Sequence, residues 1–196
     1  GDWTYVTHPD PNPNAKHVIM PVTPLAGLRS LAEARGLTLT HARGCGFLTE
    51  GETAVAPFDS PDYDEYREQM RAGLDQAEVR AACQDADAIV ACVGDFSIQN
   101  GEGRDRADLT LSGEQQALLT LLRSFHKPLI VVLVSGKPLT VPWVAQHADA
   151  VVQAFSGGQT LGDALARLLW GELNPTGKLP VAFARHAGQL PVYHNQ

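Results

Sequence analysis

Three short uninterrupted apolar runs constrain this chain more than any other feature: Ala88 to Val93, Leu129 to Val134 and Ala150 to Phe155. Each is rich in Val or Ile, is bounded by turn residues and is too short for an ordinary helix. Runs of that kind suit strands covered on both faces, as in a parallel sheet between layers of helix. The segments around them supply the helices. Thr23-Pro24 is an N-cap followed by a first-turn proline, Leu25, Leu28 and Leu31 recur at helical spacing, and Gly36 is a left-handed terminator, so a helix is predicted at about 24 to 35. Ser60-Pro61 opens a second, with Tyr66, Met70, Leu74 and Ala77 as its apolar stripe, ending near Cys83.

Ser112 with Gln115 three residues on has the spacing of a capping box ahead of Leu118, Leu119, Leu121 and Leu122, and Pro128 stops that helix. Pro142 to His147 and Leu161 to Trp170 read as two more helices, the latter closed by Gly171. Leu37 to His41 alternates like a strand, and Leu179 to Phe183 reads as a weaker one. The expected class is α/β, a mainly parallel sheet sandwiched between helices. The first strand is expected to be missing, because a wound sheet normally supplies one ahead of the opening helix.

Composition narrows the function. Fifteen Lys and Arg against 22 Asp and Glu give a formal charge of -7, which argues against a phosphate-neutralising surface and hence against nucleic acid as a partner. No apolar run approaches the roughly 18 to 20 residues of a membrane span. Gly1 to Asn14 lack the basic and apolar regions of a secretory leader. Cys45, Cys83 and Cys92 are odd in number and without the close pairing of a zinc or redox site, so they read as reduced and structural. The seven histidines include no pair at the helical spacing that converges on a metal, and neither metal nor cofactor is expected.

In wound parallel sheets, functional groups collect on loops beyond the carboxyl ends of strands. Gly94 to Arg106 is such a loop, far longer than the two to six residues that a connector needs. Gly101 and Gly103 flank Glu102 and would let the backbone present its carboxyl to a ligand or another domain. The plainer alternative is a solvated turn with local ion pairs among Glu102, Arg104, Asp105 and Arg106. A nucleotide cradle is disfavoured, since Arg106 stands where a third glycine belongs. Ser135 to Pro138 lacks P-loop spacing and reads as a structural turn, Ser156 to Gln159 as packing, and Asn174 to Pro180 as a rigid connector. No Gly-x-Ser-x-Gly elbow is present.

Taken in order, several motifs resemble the C-terminal α/β-sandwich domain of glycoside hydrolase family 3. They are Val93-Gly94-Asp95, Gly101-Glu102-Gly103-x-Asp105-Arg106, Leu109-x-Leu111-x-Gly113-x-Gln115, Gly136-x-Pro138, Gly158-Gln159-x-x-Gly162 and Asn174-Pro175-x-Gly177-Lys178-Leu179-Pro180. The resemblance covers nearly the whole chain, and the Asn-Pro-x-Gly-Lys-Leu-Pro run is its most specific element. It implies residues 1–196 as part of that domain, in a retaining exo-acting β-glycosidase that hydrolyses terminal β-linked sugars of a glucoside or oligosaccharide. Such an enzyme carries its nucleophile on an N-terminal barrel domain absent from this chain.

By the resemblance Glu102 is the general acid/base, while Gly101, Gly103, Asp105 and Arg106 shape its loop. No nucleophile is assigned here: Asp2-Trp3 echoes the barrel's motif but belongs to this domain. A retaining site needs carboxyls about 5 to 5.5 Å apart, one of them protonated near neutral pH. Arg104 and Arg106 favour the charged form of Glu102, so closure against barrel and substrate is expected to desolvate it. The isolated chain is expected to be inactive, and the resemblance places a periplasmic or secreted location ahead of a cytoplasmic one. The rival readings are a non-catalytic carbohydrate-binding or interface module on the same fold, and a flavodoxin-like nucleotide binder. Ser112 and Thr160 depart from the Pro and Glu of many relatives.

Overall fold

The computed structural model describes residues 21–48, 70, 73–95, 99–100 and 105–193. These fall into two compact units, one drawn from Gly1–Leu39 and Ala154–Pro180, the other from Thr40–Gln153 and Val181–Gln196.

The first unit is built on two helices, α1 (Pro24–Arg35) and α5 (Leu161–Leu169). Thr23 caps α1, its hydroxyl accepting from Ala26 N at 3.1 Å, and Gly36 ends it at φ 66°. The leucine stripe of α1 is only half-buried; the buried positions are Gly27 and Ala32. The small residues are inside because the two helices meet backbone to backbone. A Cβ on Gly27 would lie 2.2 Å from the carbonyl oxygen of Gly162, and one on Gly162 would lie 2.1 Å from that of Thr23. Gly162 N donates to Val22 O at 2.9 Å, and Val22 N to Gln159 O at 2.8 Å. At the other end Glu172 accepts from both Arg35 and Arg167, and Arg35 lies over the Trp170 ring. The Arg35 hydrogen bond, aided by Arg167, holds the Glu172 carboxyl below its ordinary range.

The second unit holds the sheet: β1 (Ile89–Gly94), β2 (Leu129–Val134) and β3 (Ala150–Gln153), all parallel, in that spatial order. Ile89 to Gly94 pair in register with Leu129 to Val134, and Ile130 to Leu133 with Ala150 to Gln153. The three apolar runs therefore become the three strands, although the last is two residues shorter than expected. The α/β class stands. Helices α2 (Gln76–Cys83), α3 (Gln115–Arg123) and α4 (Pro142–His147) belong to the same unit, as does a short 3-10 turn at Ala187–Gln189.

The core joins Val79 and Cys83 of α2, Leu119 and Leu122 of α3 and Val144 of α4 to Ile89, Ala91, Val93, Leu129, Val131 and Leu133 of the strands. Leu119, Leu129, Val131 and Val144 are fully buried, each side chain contributing about 1.5–3 kcal/mol by leaving water. Only the central strand β2 approaches burial on both faces; β1 alternates, with Val90 37% exposed, and Val151 on β3 is 45% exposed.

Several expectations are corrected. The long helix ending near Cys83 is interrupted: residues 73–75 are coil, and Asp75 starts α2 afresh, its Oδ1 accepting from Glu78 N at 2.9 Å. The earlier part of that helix, including Ser60-Pro61 and Tyr66, lies outside the described residues. Leu37 to His41 is extended but joins no sheet among the described residues, and Leu179 to Phe183 is irregular and largely exposed. Alternation makes a strand only when a neighbour takes its backbone groups, and Pro180 also removes a donor. The cysteines are all free, as expected, but differ in burial: Cys83 is buried, Cys45 half-buried and Cys92 exposed. Burial pushes the Cys45 thiol up to about 11, with Glu114 adding to the effect.

Candidate active site

The carboxyl ends of the strands lie side by side, with Gly94 opposite Val134 and Leu133 opposite Gln153. Polar groups gather there because each strand is followed at once by a hydrogen-bonding residue: Asp95 after β1, Ser135 after β2, and Gln153 as the end of β3. Gln153 Nε2 donates to Ser135 Oγ at 3.0 Å, and that hydroxyl donates to Lys137 O at 2.8 Å. The turn after β2 is thus tied sideways to β3 and inward to itself.

The connection from β1 to α3 runs from Asp95 to Glu114, and its exit from the strand is tightly specified. Asp95 N donates to Val134 O at 3.2 Å, on the β2 side. Gly94 points its N–H and C=O the other way, as alternate strand residues must, and one side chain takes both. Gln115 Oε1 accepts from Gly94 N at 2.7 Å, and its Nε2 donates to Gly94 O at 2.8 Å and to Ser112 O at 2.9 Å. Gln115 is 2% exposed. The capping box expected at Ser112 is therefore replaced: Glu114 is the N-cap, without a side-chain cap bond, and Gln115 serves the strand end instead. Gly94 itself has φ 156°, and a Cβ there would lie 1.8 Å from Val134 O.

Beyond Gly94, the turn Ser135–Thr140 grips the connection on both sides of its middle. On the entry side, Gly136 N donates to Asp95 Oδ1 at 2.9 Å, and Lys137 Nζ donates to Gln99 O at 2.6 Å. Asn100 closes over Gly136, where a Cβ would come 2.6 Å from its Oδ1. On the exit side, Thr140 N donates to Leu109 O at 2.8 Å.

The exit is also braced internally. Thr110 donates to Asp108 through its N–H and its hydroxyl, both at 2.8 Å, and Arg106 Nη2 donates to Thr110 O at 3.2 Å. The Thr110 N–H, and then its hydroxyl, hold the Asp108 carboxyl below its usual range. Asp95 Oδ2, Arg106 Nη1 and Gln153 Oε1 are buried and have no partner among the described residues.

Of the residues singled out from sequence, Gly101, Glu102 and Gly103 lie outside the described residues. Asp105 is exposed, and Arg106 is half-buried and held by the backbone. Sequence reasoning placed Asp95 in the long loop and Gln115 in a family motif without giving either a role here, and it missed Lys137 and Gln153 as parts of this region. The signal for Gln153 was a polar residue inside the otherwise apolar run Ala150 to Phe155, whereas nothing contiguous marks Lys137. Among the described residues no group of three His, Cys, Asp or Glu side chains is placed to hold a metal ion, and no helix is long and apolar enough to cross a membrane.

Residues 2–196 match the model of the glycosyl hydrolase family 3 C-terminal domain. The chain is 37% identical over 182 residues to a periplasmic β-glucosidase of Salmonella typhimurium, covering 89% of this chain and 22% of that protein. It is 41% identical over 115 residues to a β-xylosidase of Formosa agariphila, covering 59% of this chain and 16% of the relative. Among solved structures, a β-glucosidase from Erythrobacter marinus superposes with a TM-score of 0.72 at 34% identity, over 90% of this chain and 24% of the other. A β-glucosidase from Listeria innocua in complex with glucose gives 0.60 at 34% identity, over 62% of this chain and 17% of the other. The chain thus spans less than a quarter of the length of each of these relatives. With the match running through both units and the strand-end loop between β1 and α3, the chain belongs to glycoside hydrolase family 3, as a C-terminal domain of that family.

Proposed function

We propose that this domain works as one part of a retaining β-glycosidase, with Glu102 as general acid/base and the catalytic nucleophile on an N-terminal barrel of the same polypeptide. The observation that carries the reading is the anchoring of the β1–α3 connection: residues on both sides of Gly101-Glu102-Gly103 are hydrogen-bonded to the turn after β2. A carboxyl that must meet a glycosidic oxygen within hydrogen-bond reach, on a partner domain, needs a loop whose two ends are fixed. Gly101, Gly103, Asp105 and Arg106 shape that loop.

In the first half-reaction Glu102 donates its proton to the leaving-group oxygen as the barrel's carboxylate attacks the anomeric carbon. In the second it takes a proton from the water that releases the sugar. The domain alone is expected to be inactive, since it lacks the nucleophile. The β-glucosidase names among its relatives support a β-glucoside or a β-linked oligosaccharide as substrate, and the periplasmic relative supports a location outside the cytoplasm.

The test is Glu102→Ala in the full-length enzyme, assayed on aryl β-glucosides. General acid catalysis contributes about 10²–10⁴-fold, so hydrolysis of substrates with poor leaving groups should fall by about that factor, while highly activated aryl glucosides lose less in kcat/KM. Added azide should restore turnover of the activated substrates and yield a β-glycosyl azide, because deglycosylation then needs no general base. An undiminished rate on poor leaving groups, with no azide product, would assign the domain to the non-catalytic class.

A further inference from the structure

The turn Ser135–Thr140 is one of the anchors of the connection between β1 and α3, beside Gln115 and the buried Leu111, and Lys137 is the side chain of that turn that donates across to it. Gly136 and Thr140 use their backbone N–H groups, which any residue would supply. Lys137 uses its ammonium, which donates to the carbonyl of Gln99 at 2.6 Å, three residues ahead of Glu102 in the chain. A charged donor on a backbone carbonyl is among the stronger hydrogen bonds a loop can receive.

The base from which Lys137 reaches is itself fixed. Its own carbonyl accepts from Ser135 Oγ, that hydroxyl accepts from Gln153 at the end of β3, and Ser135 is 2% exposed. Pro138 follows directly and restricts the backbone of Lys137 to extended conformations. The chain of contacts thus runs from the sheet, through a rigid turn, to one carbonyl of the loop.

Lys137 is half-buried and is not itself a member of the hydrophobic cluster, which takes Leu139 from the same turn and Leu111 from the connection. Its removal would take no apolar side chain out of that cluster and would free the Gln99 carbonyl, while Gly136 keeps its hold on Asp95. We propose that Lys137 is a positioning residue for the acid/base: it sets where the backbone ahead of Glu102 lies, and through it the reach of the carboxyl towards the glycosidic oxygen. The inference rests on the reading of Glu102 given above and extends it to a residue of a different loop.

The experiment uses the full-length enzyme with Lys137→Met, Lys137→Arg, Glu102→Gln and the Glu102→Gln/Lys137→Met pair, measuring kcat/KM over aryl β-glucosides of graded leaving-group basicity. Misplacing a catalytic group by an ångström costs about 100-fold. Lys137→Met is therefore expected to lose about 10- to 100-fold on phenyl and alkyl glucosides but under about 3-fold on dinitrophenyl glucoside. Lys137→Arg, which keeps a charged donor, restores most of that loss, and Lys137→Met adds nothing to Glu102→Gln. A loss uniform across leaving groups, no loss at all, or one that multiplies with that of Glu102→Gln overturns the positioning role and leaves Glu102 in place. If Glu102→Gln itself shows no dependence on the leaving group, the reading beneath the inference fails instead.

Discussion

Replacing Gln115 by Ala separates the strand-end architecture from ordinary helix packing. The side chain satisfies three backbone groups, the N–H and C=O of Gly94 and the C=O of Ser112, and both residues are buried. Leaving a buried polar group unpaired costs about 1–3 kcal/mol. Taking the low end for each, because water can enter at the edge of β1, gives about 3 kcal/mol for Gln115→Ala. Local opening at Gly94 should rise in proportion, so hydrogen exchange at its amide should accelerate by about a hundredfold. Urea unfolding should move to lower denaturant by the same free energy. The neighbouring Gln116→Ala, at an exposed position, serves as control and should stay within about 0.5 kcal/mol of the parent.

Gln115→Glu sharpens the test through its pH dependence. A carboxylate keeps the acceptor for Gly94 N–H but faces two carbonyl oxygens, so the folded state favours the protonated form and raises the pKa above the unfolded value of about 4.3. The variant's stability relative to the parent should therefore improve as pH falls through the folded pKa and decline as pH rises through it. If Gln115→Ala unfolds within about 0.5 kcal/mol of the parent, with Gly94 exchange unchanged, then the bidentate grip on Gly94 is not what specifies the strand exit.

Two further outcomes follow from other parts of the molecule. Gly162→Ala should abolish the α1–α5 packing, because its Cβ would sit 2.1 Å from a backbone oxygen, whereas Gly177→Ala meets nothing within 4 Å and should be neutral or stabilising by up to about 1 kcal/mol; thermal unfolding of the two variants distinguishes them. Asp108, whose folded pKa is depressed by Thr110, contributes stability that is present above its unfolded pKa and lost as pH falls through the folded one. NMR titration of the Thr110 amide should show the turn opening over that acidic window, and Asp108→Asn should remove the acid transition.

The sheet was legible because burial writes itself locally: Leu129 to Val134 has to be a covered strand whatever surrounds it, and it is. Partnership is not local. Leu37 to His41 alternates as a strand does, yet an extended segment enters a sheet only where another strand offers its edge. Gln115 shows a subtler failure, since the same amide at the same spacing can cap a helix or pair with a strand end. Gly113 at φ 62° turns the backbone so that it does the second. Glu102 could be singled out from its flanking glycines and its motif, which are contiguous. Lys137 could not be, because its partner Gln99 lies on another loop and is brought to it only by the pairing of β1 with β2.

The interlock of Gly27 with Gly162 has a consequence for how the polypeptide is made. Helix α1 leaves the ribosome long before α5, and all three strands of the sheet unit are synthesised between them. During that interval α1 has no mate for its small-residue face and is marginal on its own, as isolated helices of twelve residues are. Truncations ending ahead of Leu169 would strand it permanently, so nascent chains arrested at successive lengths should show protection of α1 only after α5 has emerged.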